Sequence, residues 1–297
     1  MSELVIDPMV PGPAPAAPAR GRLALSWSRI PLSGRIGAAL VAFWLAAAAV
    51  GPFLAPYGVG AIVADDVFEP ISLRHLLGSD YLGRDVLSRM LSGARYTVGL
   101  ALAAAAIASA SGCAIALFAV VSRRWVDEAT SRLMDAMISV PSKVLALVMV
   151  AAFGSSIPLL LAIAAVTYIP GAYRIARSVA VGLNQMDYVE AARARGEGRL
   201  YIARHEILPN MLNPVLADFG LRFVFVVLLL SGLSFLGLGV QPPHADLGSL
   251  VRENTSGLGQ AAPAVIAPAL AIASLTIGMN LLIDGLAGRS AGVGGRP

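Results

Sequence analysis

Few side chains in this sequence stand in an arrangement that could catalyse a reaction. Its 3 histidines, His75, His205 and His244, lie far apart and show none of the spacings typical of a metal site. No phosphate-binding loop of the form G-x-x-x-x-G-K-[ST] occurs, and the single lysine, Lys143, follows Val-Pro-Ser. The sequence therefore predicts a non-catalytic chain with no metal site and no bound cofactor of its own.

Charged residues inside apolar runs are the remaining candidates, because an ionisable group in a membrane span is costly and usually faces the bundle interior or a water path. Asp218 and Arg222 are spaced as helical neighbours, which favours either a local ion pair or part of a gate. Lys143 lies roughly 15 Å into another run. It either lines a path for carboxylate-bearing cargo or pairs with an acid of a neighbouring subunit.

Composition sets the class of protein. The chain has 297 residues, of which 57% are hydrophobic and 13% charged, whereas a soluble domain carries roughly a quarter charged residues. This composition indicates an integral membrane protein. The single cysteine, Cys113, excludes an intrachain disulfide. The first apolar run begins too far along the chain for a cleaved signal peptide, so we expect an uncleaved anchor.

Six apolar runs are long enough to cross a bilayer as helices. The sequence therefore predicts an all-α, polytopic fold with six transmembrane helices. The runs span residues 36–56, 96–121, 133–153, 157–173, 212–238 and 263–284. The predicted units are a disordered tail at 1–34, the first helix with an outer-face segment at 35–95, a five-helix core at 96–288, and a second tail at 289–297.

The placement of arginine predicts the orientation, because positive residues favour the cytoplasmic side. With both termini inside, 15 arginines lie on inner segments and 5 on outer segments. We therefore expect cytoplasmic N- and C-termini. The outer segment at 79–95 alternates apolar and charged residues, which is typical of a surface helix at the membrane boundary. Such a helix serves either as a contact for a substrate-binding protein or as a lid on the protein itself. The contact candidates are Asp80, Gly83, Arg84 and Asp85.

A charged stretch, DYVEAARARGEGRLYIARHEILPN at 187–210, separates two of the apolar runs. Asp187 is expected to cap a helix, with Glu190 as its reciprocal partner. Ala191 and Ala192 share a face of small side chains that would permit close approach of another backbone.

The same stretch contains a predicted turn. Gly196 and Gly198 end the first helix and allow a sharp change of direction. A second short helix over 199–208 is expected to stop at Pro209. The segment is then either a docking element for a cytoplasmic partner or an ordinary solvated loop.

Three motifs carry a resemblance to a known family. Glu190-Ala191-Ala192, Gly196 and Leu208-Pro209 resemble the EAA loop of ABC importer membrane subunits. LLGSDYLGRDVLSRMLSGAR at 76–95 and SFLGLGVQPPHADLGSLV at 234–251 resemble segments of the C-type permeases of dipeptide, oligopeptide and nickel importers.

The resemblance implies a type I ABC importer permease of the bacterial inner membrane, with a coupling loop at 177–211 that docks on an ATPase. It implies a homologous partner permease, two ATPase subunits that bind ATP and Mg, and an extracytoplasmic binding protein. Peptides are the implied cargo, with nickel or a metal–chelator complex as the alternative. A secondary transporter and a membrane scaffold are the rival classes. The implied ATPase-coupling residues are Asp187, Glu190, Ala191, Ala192, Gly196, Leu208 and Pro209.

Overall fold

The computed structural model describes residues 31–260 and 262–292, and the regular structure within them is helical. A π-helix, Ile202–Ile207, joins α7 to α8, and a 3₁₀ helix, Thr255–Gln260, follows α9. The helices are α1 (Leu32–Leu54), α2 (Val86–Val121), α3 (Arg124–Ile138), α4 (Ser142–Phe153), α5 (Ile157–Asn184), α6 (Asp187–Ala194), α7 (Arg199–Tyr201), α8 (Leu208–Phe235), α9 (Leu247–Glu253) and α10 (Pro263–Gly292).

The predicted all-α class is confirmed for the described residues. Most of the two predicted tails lies outside them. The exceptions are 32–34, which begin α1, and 289–292, which end α10.

Five helices in the described part of the chain are long and apolar enough to cross a membrane. The third predicted span, at 133–153, is instead a bent pair, α3 and α4, whose axes differ by 81°. The expectation of one continuous helix there is wrong because Pro141 lacks an N–H donor and its ring clashes with the preceding turn. The described residues therefore contain five candidate spans, or six if the bent pair counts as one.

Two ion pairs hold the broken span against α5. The Arg177 guanidinium donates to Asp127 of α3, with 2.7 Å between Nε and Oδ1. Arg174 donates to Asp135, also at 2.7 Å. The prediction ended the fourth span at 173, but α5 continues to Asn184, because these polar residues pair with acids of α3 and need not leave the helix.

The centre of the bundle is the contact between α2 and α5, which small residues make close. Ala104, Ala105 and Ala108 of α2 are fully buried. A Cβ on Gly112 would lie 2.7 Å from the Cβ of Ala172 and from the backbone nitrogen of Tyr173. Small residues let helix backbones approach and gain dispersion contacts in a membrane, so this face of α2 depends on its lack of side-chain volume.

The second span begins earlier than its hydropathy indicates. The prediction placed its start at 96 and a separate surface helix before it, but α2 begins at Val86. The Asp85 carboxylate caps this helix by accepting a hydrogen bond from the Ser88 backbone nitrogen at 2.7 Å. A strong cap thus extends the span beyond the apolar run.

Candidate functional sites

Helix α6 opens the charged segment, residues 187–210. Met186 occupies its N-cap position and makes no side-chain capping bond. The predicted capping box of Asp187 and Glu190 is wrong, because Asp187 already has helical geometry as the first residue of the helix. Both acids lie in the first turn and are exposed. There they complement the positive end of the helix dipole.

One face of α6 attaches it to the bundle. Val189 and Ala192 are fully buried, whereas Ala191 is exposed. The prediction placed Ala191 and Ala192 together on a docking face, and the structure corrects it. Successive helical residues point about 100° apart, and only Ala191 remains on the outer surface. The buried cluster around Ala192 includes Tyr173, Ile202, Ile207 and Met211.

The turn after α6 is fixed by backbone geometry. Gly196 has φ +83°, a left-handed conformation that favours glycine. The Glu197 N–H donates to the Ala192 carbonyl at 3.1 Å, and the Gly196 N–H donates to the Arg193 carbonyl at 2.9 Å. These two bonds form a Schellman motif. Gly196 therefore has the turn role that its position predicted, and the segment reverses direction without a flexible loop.

Beyond the turn, the chain runs as one helical segment from Arg199 to Phe235. The expectation that Pro209 stops a second short helix is wrong. Pro209 lies in the first turn of α8, where a backbone N–H has no hydrogen-bond partner within the helix, so the missing N–H of proline costs little there. The π-helix before it moves the hydrogen bonding, so that the Leu208 N–H donates to the Ala203 carbonyl. The Asn210 side chain donates to the Glu206 carbonyl at 2.6 Å.

The tip of the charged segment carries exposed apolar residues that the motif did not indicate. The Leu200 side chain lies just after the turn and is 80% exposed, and Met186 before α6 is 48% exposed. Tyr201 and His205 stack with their ring centroids 4.5 Å apart. An apolar residue directly after a glycine turn in an otherwise charged stretch could have indicated this exposed apolar position from the sequence.

The Tyr188 hydroxyl lies between α6 and the start of α8. Burial raises the pKa of this phenol, and the negative charge of Glu206 raises it further. The Asn210 side chain lies 3.5 Å from the Tyr188 oxygen. Tyr188 is therefore a neutral contact that ties the two arms of the charged segment together.

The segment between α1 and α2, residues 55–85, folds over the other end of the bundle and is called the lid below. Arg89 of α2 donates to Asp80 of the lid at 2.7 Å and to Glu253 of α9 at 2.9 Å. Arg84 donates to the same two carboxylates at 2.7 and 3.1 Å. Asp80 is 1% exposed, so this network is an internal clasp between the lid, α2 and α9.

The predicted outer-face contact residues belong to this clasp or to its surroundings. Asp80, Asp85 and Gly83 are buried, and Arg84 is mostly covered. Asp85 caps α2 and lies 3.3 Å from His75. Of the two interpretations left open, the structure therefore favours a lid packed on the protein itself, because these polar groups are consumed by internal partners.

A second buried carboxylate joins α9 to the end of α8. Asp246 caps α9 by accepting a hydrogen bond from the Ser249 backbone nitrogen at 2.7 Å, and the Ser234 hydroxyl also donates to it. Burial raises the pKa of Asp246, and these hydrogen bonds oppose the shift. Helix α9 is thus attached to α8 through a desolvated acid.

Inside the membrane spans, Asp218 and Arg222 form the local ion pair that their spacing predicted. The Arg222 Nε and Nη2 atoms donate to the two carboxylate oxygens at 3.1 and 3.0 Å. The remaining nitrogen, Nη1, lies against Gly171 of α5, where a Cβ would collide with it. Lys143 is exposed in the first turn of α4, directly after the Pro141 break, and forms no ion pair with a described residue.

Comparisons with known proteins define the class. Residues 108–291 match the family model described as the binding-protein-dependent transport system inner membrane component. A peptide transport system permease protein of Brucella suis, itself described as putative, is 35% identical, over 86% of each chain. The chain belongs to this family of transport permeases, which confirms the resemblance to ABC importer permeases of the dipeptide and oligopeptide type.

Two further relatives are named for defined cargo. A di/tripeptide transport system permease protein of Pseudomonas aeruginosa is 33% identical, over 79% of this chain and 80% of its own. A glutathione transport system permease protein of Pectobacterium atrosepticum is 32% identical, over 83% and 80%. A crystal structure of an amino acid ABC transporter with histidines aligns with a TM-score of 0.49 at 21% identity, over 69% of this chain and 93% of its own.

Proposed function

We propose that this chain is a non-catalytic permease subunit of an ATP-driven peptide importer, and that the tip of the charged segment docks on an ATPase subunit. The observation that carries the proposal is the two-sided construction of this segment. Its inner face is buried through Val189 and Ala192, while Glu190, Ala191 and Leu200 remain exposed on the outside. A segment whose inner face is packed on the bundle and whose outer face is exposed can transmit a movement of a bound ATPase to the membrane helices.

The push would reach the membrane through rigid contacts. Helix α6 contacts the π-helix Ile202–Ile207 and shares one buried cluster with Tyr173 of α5 and Met211 of α8. The hydrogen-bonded Schellman turn at Gly196 limits movement of α6 relative to the helical segment that begins at Arg199. A displacement of the tip therefore moves α5 and α8 as bodies, which is the movement that alternating access requires.

The remaining assignments follow from charge and family. The arginine distribution favours cytoplasmic termini in a bacterial inner membrane, which places the charged segment beside a cytoplasmic ATPase and the lid outside. ATP and Mg bind to that ATPase. A second, homologous permease completes the path, and a binding protein delivers the cargo. The relatives' names favour peptides over nickel.

The proposal is tested by affinity purification of the tagged chain in mild detergent, with mass spectrometry and an ATPase assay of the eluate. Wild type is expected to bring down an ATPase and a second permease. Gly196→Asp is expected to lose the ATPase, because an L residue at φ +83° strains the turn and the added charge faces the partner. It should still insert in the membrane and keep the second permease.

Gly198→Asp is the matched control. It adds the same charge two residues away, at φ −72°, where Asp is a favourable N-cap for α7. We expect this variant to retain the ATPase. Elution of wild type without any ATPase, or retention of the ATPase and of uptake by Gly196→Asp, would contradict the docking proposal.

A further inference from the structure

A layer of polar side chains crosses the bundle at mid-membrane depth, where α4, α5 and α8 meet. At about 1.5 Å per residue, Lys143 lies roughly 15 Å from the Phe153 end of α4, and Arg222 lies roughly 20 Å from the Phe235 end of α8. With Phe153 and Phe235 taken to lie at the outer boundary, a hydrocarbon core of about 30 Å puts both close to its midplane. Both positions are among the most costly for a charged group, so each needs a reason to be there.

Tyr168 of α5 links the two cations. Its hydroxyl donates to the Phe225 carbonyl of α8 at 3.0 Å. The Ser142 side chain, next to Lys143, is a neighbour of the same tyrosine, and so is the Arg222 guanidinium. Ser142, Lys143, Tyr168 and Arg222 therefore belong to one polar layer that joins the broken span to α8.

The charges of this layer do not cancel. Asp218 neutralises Arg222 through two of its nitrogens, while Nη1 lies against Gly171 without a hydrogen bond to any described residue. Lys143 is exposed and has no ion pair within the described part of the chain. The layer carries one net positive charge, and a cation at this depth must face water, a counter-charge or both.

The opposite flank of α4 gives a contrast. A cavity of about 380 Å³ opens there between α3, α4 and α5, and no charged side chain lines it. An apolar cavity of this kind suits lipid chains or apolar side chains of a neighbour. Lys143 does not line this cavity, so the charged group and the apolar cavity are separate features of the broken span.

We propose that Lys143 and Arg222 form a water-accessible cationic site at the membrane midplane that contacts the carboxylate of the peptide during passage, a role that rests on the proposed function. Lys143 supplies the uncompensated charge. Gly171 leaves room for the Arg222 guanidinium and directs Nη1 towards the polar layer. Asp218 holds that guanidinium in place and limits its charge, so that a carboxylate is attracted but can leave.

Charge-selective thiol labelling tests the site without a need for transport. Cys113 is buried and is the only cysteine, so Cys113→Ala gives a clean background for Ser142→Cys, which puts a thiol beside Lys143 and keeps the lysine in place. The complex, held in lipid nanodiscs, is treated separately with a negatively charged sulfonatoethyl and a positively charged trimethylammonioethyl methanethiosulfonate. Mass spectrometry of this chain gives the two rates. Their ratio is independent of thiolate content, because both reagents attack the same thiolate.

Leu200→Cys, at an 80% exposed position, gives the reference ratio for open water. A local potential of about one kT would raise the anionic-to-cationic ratio at position 142 roughly sevenfold above that reference, and adding Lys143→Gln should return the ratio to the reference. No labelling by either reagent would show that this end of α4 faces lipid or sealed protein. A ratio below the reference would show an acid of the partner subunit beside it. Either result overturns the proposal.

The role of Arg222 is tested with its counter-ion removed as well, so that no unpaired acid remains buried. In the Ser142→Cys background, Asp218→Asn is expected to raise the ratio, and Asp218→Asn with Arg222→Gln is expected to return it to the value of Ser142→Cys alone. An unchanged ratio in the double variant would remove Arg222 from the site. Matched size-exclusion profiles show that the variants remain folded.

The ligand class is tested by protection. Tri-alanine is expected to slow labelling of Ser142→Cys by the anionic reagent, and tri-alanine amide is not. Equal protection by both peptides, or by neither, would refute carboxylate recognition. These outcomes are independent of ATPase capture, so the site and the docking proposal can fail separately.

Discussion

Replacement of Leu200 by serine tests the docking surface with little risk to the fold. Burial of a leucine side chain contributes about 1.5–3 kcal/mol. Leu200 is 80% exposed in the free chain, so nearly all of that free energy is available only when a partner covers it. We expect Leu200→Ser to weaken ATPase binding by about 1–2 kcal/mol, or roughly 5- to 30-fold in Kd.

The measurement is a fluorescence titration of the ATPase subunit onto the permease pair in nanodiscs, without nucleotide. Thermal unfolding of the same sample should be nearly unchanged, because exposed substitutions usually alter stability by less than about 0.5 kcal/mol. Leu73→Ser is the matched control, since Leu73 is 98% exposed but lies on the lid. It should bind the ATPase with the wild-type Kd.

Two results would refute the reasoning. If Leu200→Ser binds the ATPase with unchanged affinity, the exposed tip is not the docking surface. If Leu73→Ser weakens binding as much as Leu200→Ser does, the loss reflects a general change of the permease and says nothing about docking.

Two further predictions concern stability, measured by the temperature at which buried Cys113 becomes reactive to a thiol dye. Gly112→Ala should destabilise the bundle by about 1–3 kcal/mol through overpacking. Its control is Gly99→Ala, which has open space around it on the same helix and should be neutral or stabilising. Equal effects of the two substitutions would contradict the close α2–α5 contact. Arg89→Met should lower the free energy of unfolding by about 3 kcal/mol, because it leaves Asp80 and Glu253 without one of their cations. Its control is Glu128→Gln, in an exposed ion pair, which should have almost no effect. Equal losses of stability would show that the clasp does not stabilise the bundle.

The number of spans could be predicted from hydropathy, but the break in one of them could not. Pro170, Pro214 and Pro268 all lie inside long helices, while Pro141 separates two helices. Neighbouring helices and local hydrogen bonds can satisfy the groups that a membrane proline frees. Whether a proline breaks a helix therefore depends on packing around it, which a single apolar run does not record.

The location of the charged segment could also be predicted, but the direction of its side chains could not. The motif placed Ala191 and Ala192 together, and only the packing of α6 on Tyr173 and Met211 distinguishes them. Leu200 was missed for the related reason that exposure is a property of neighbours. A sequence indicates that a residue is apolar, and the fold decides whether anything covers it.

The lid shows the same limit for charged residues. Asp80 and Asp85 were candidate contacts for a binding protein because the segment at 79–95 has the pattern of a surface helix, with a lid on the protein itself as the alternative. They are buried because Asp85 caps α2 and Asp80 pairs with arginines. Through Arg89, the clasp joins Asp80 to Glu253 of α9. Pairing over such a separation leaves no local pattern in the sequence.

The long segment from Arg199 to Phe235 connects the two proposals physically. Leu200 at its docking end and Arg222 in the midplane layer are roughly 33 Å apart along one helical axis. A movement of the tip therefore displaces the Arg222 guanidinium relative to Gly171 and Lys143, which belong to other helices. The π-helix at Ile202–Ile207 lies on this route and is continuous with α8, and π-turns within helices are frequent at functional sites. The movement therefore reaches the cationic site as a rotation or shift of α8 as a whole, and the site would hold or release a carboxylate according to the position of the ATPase.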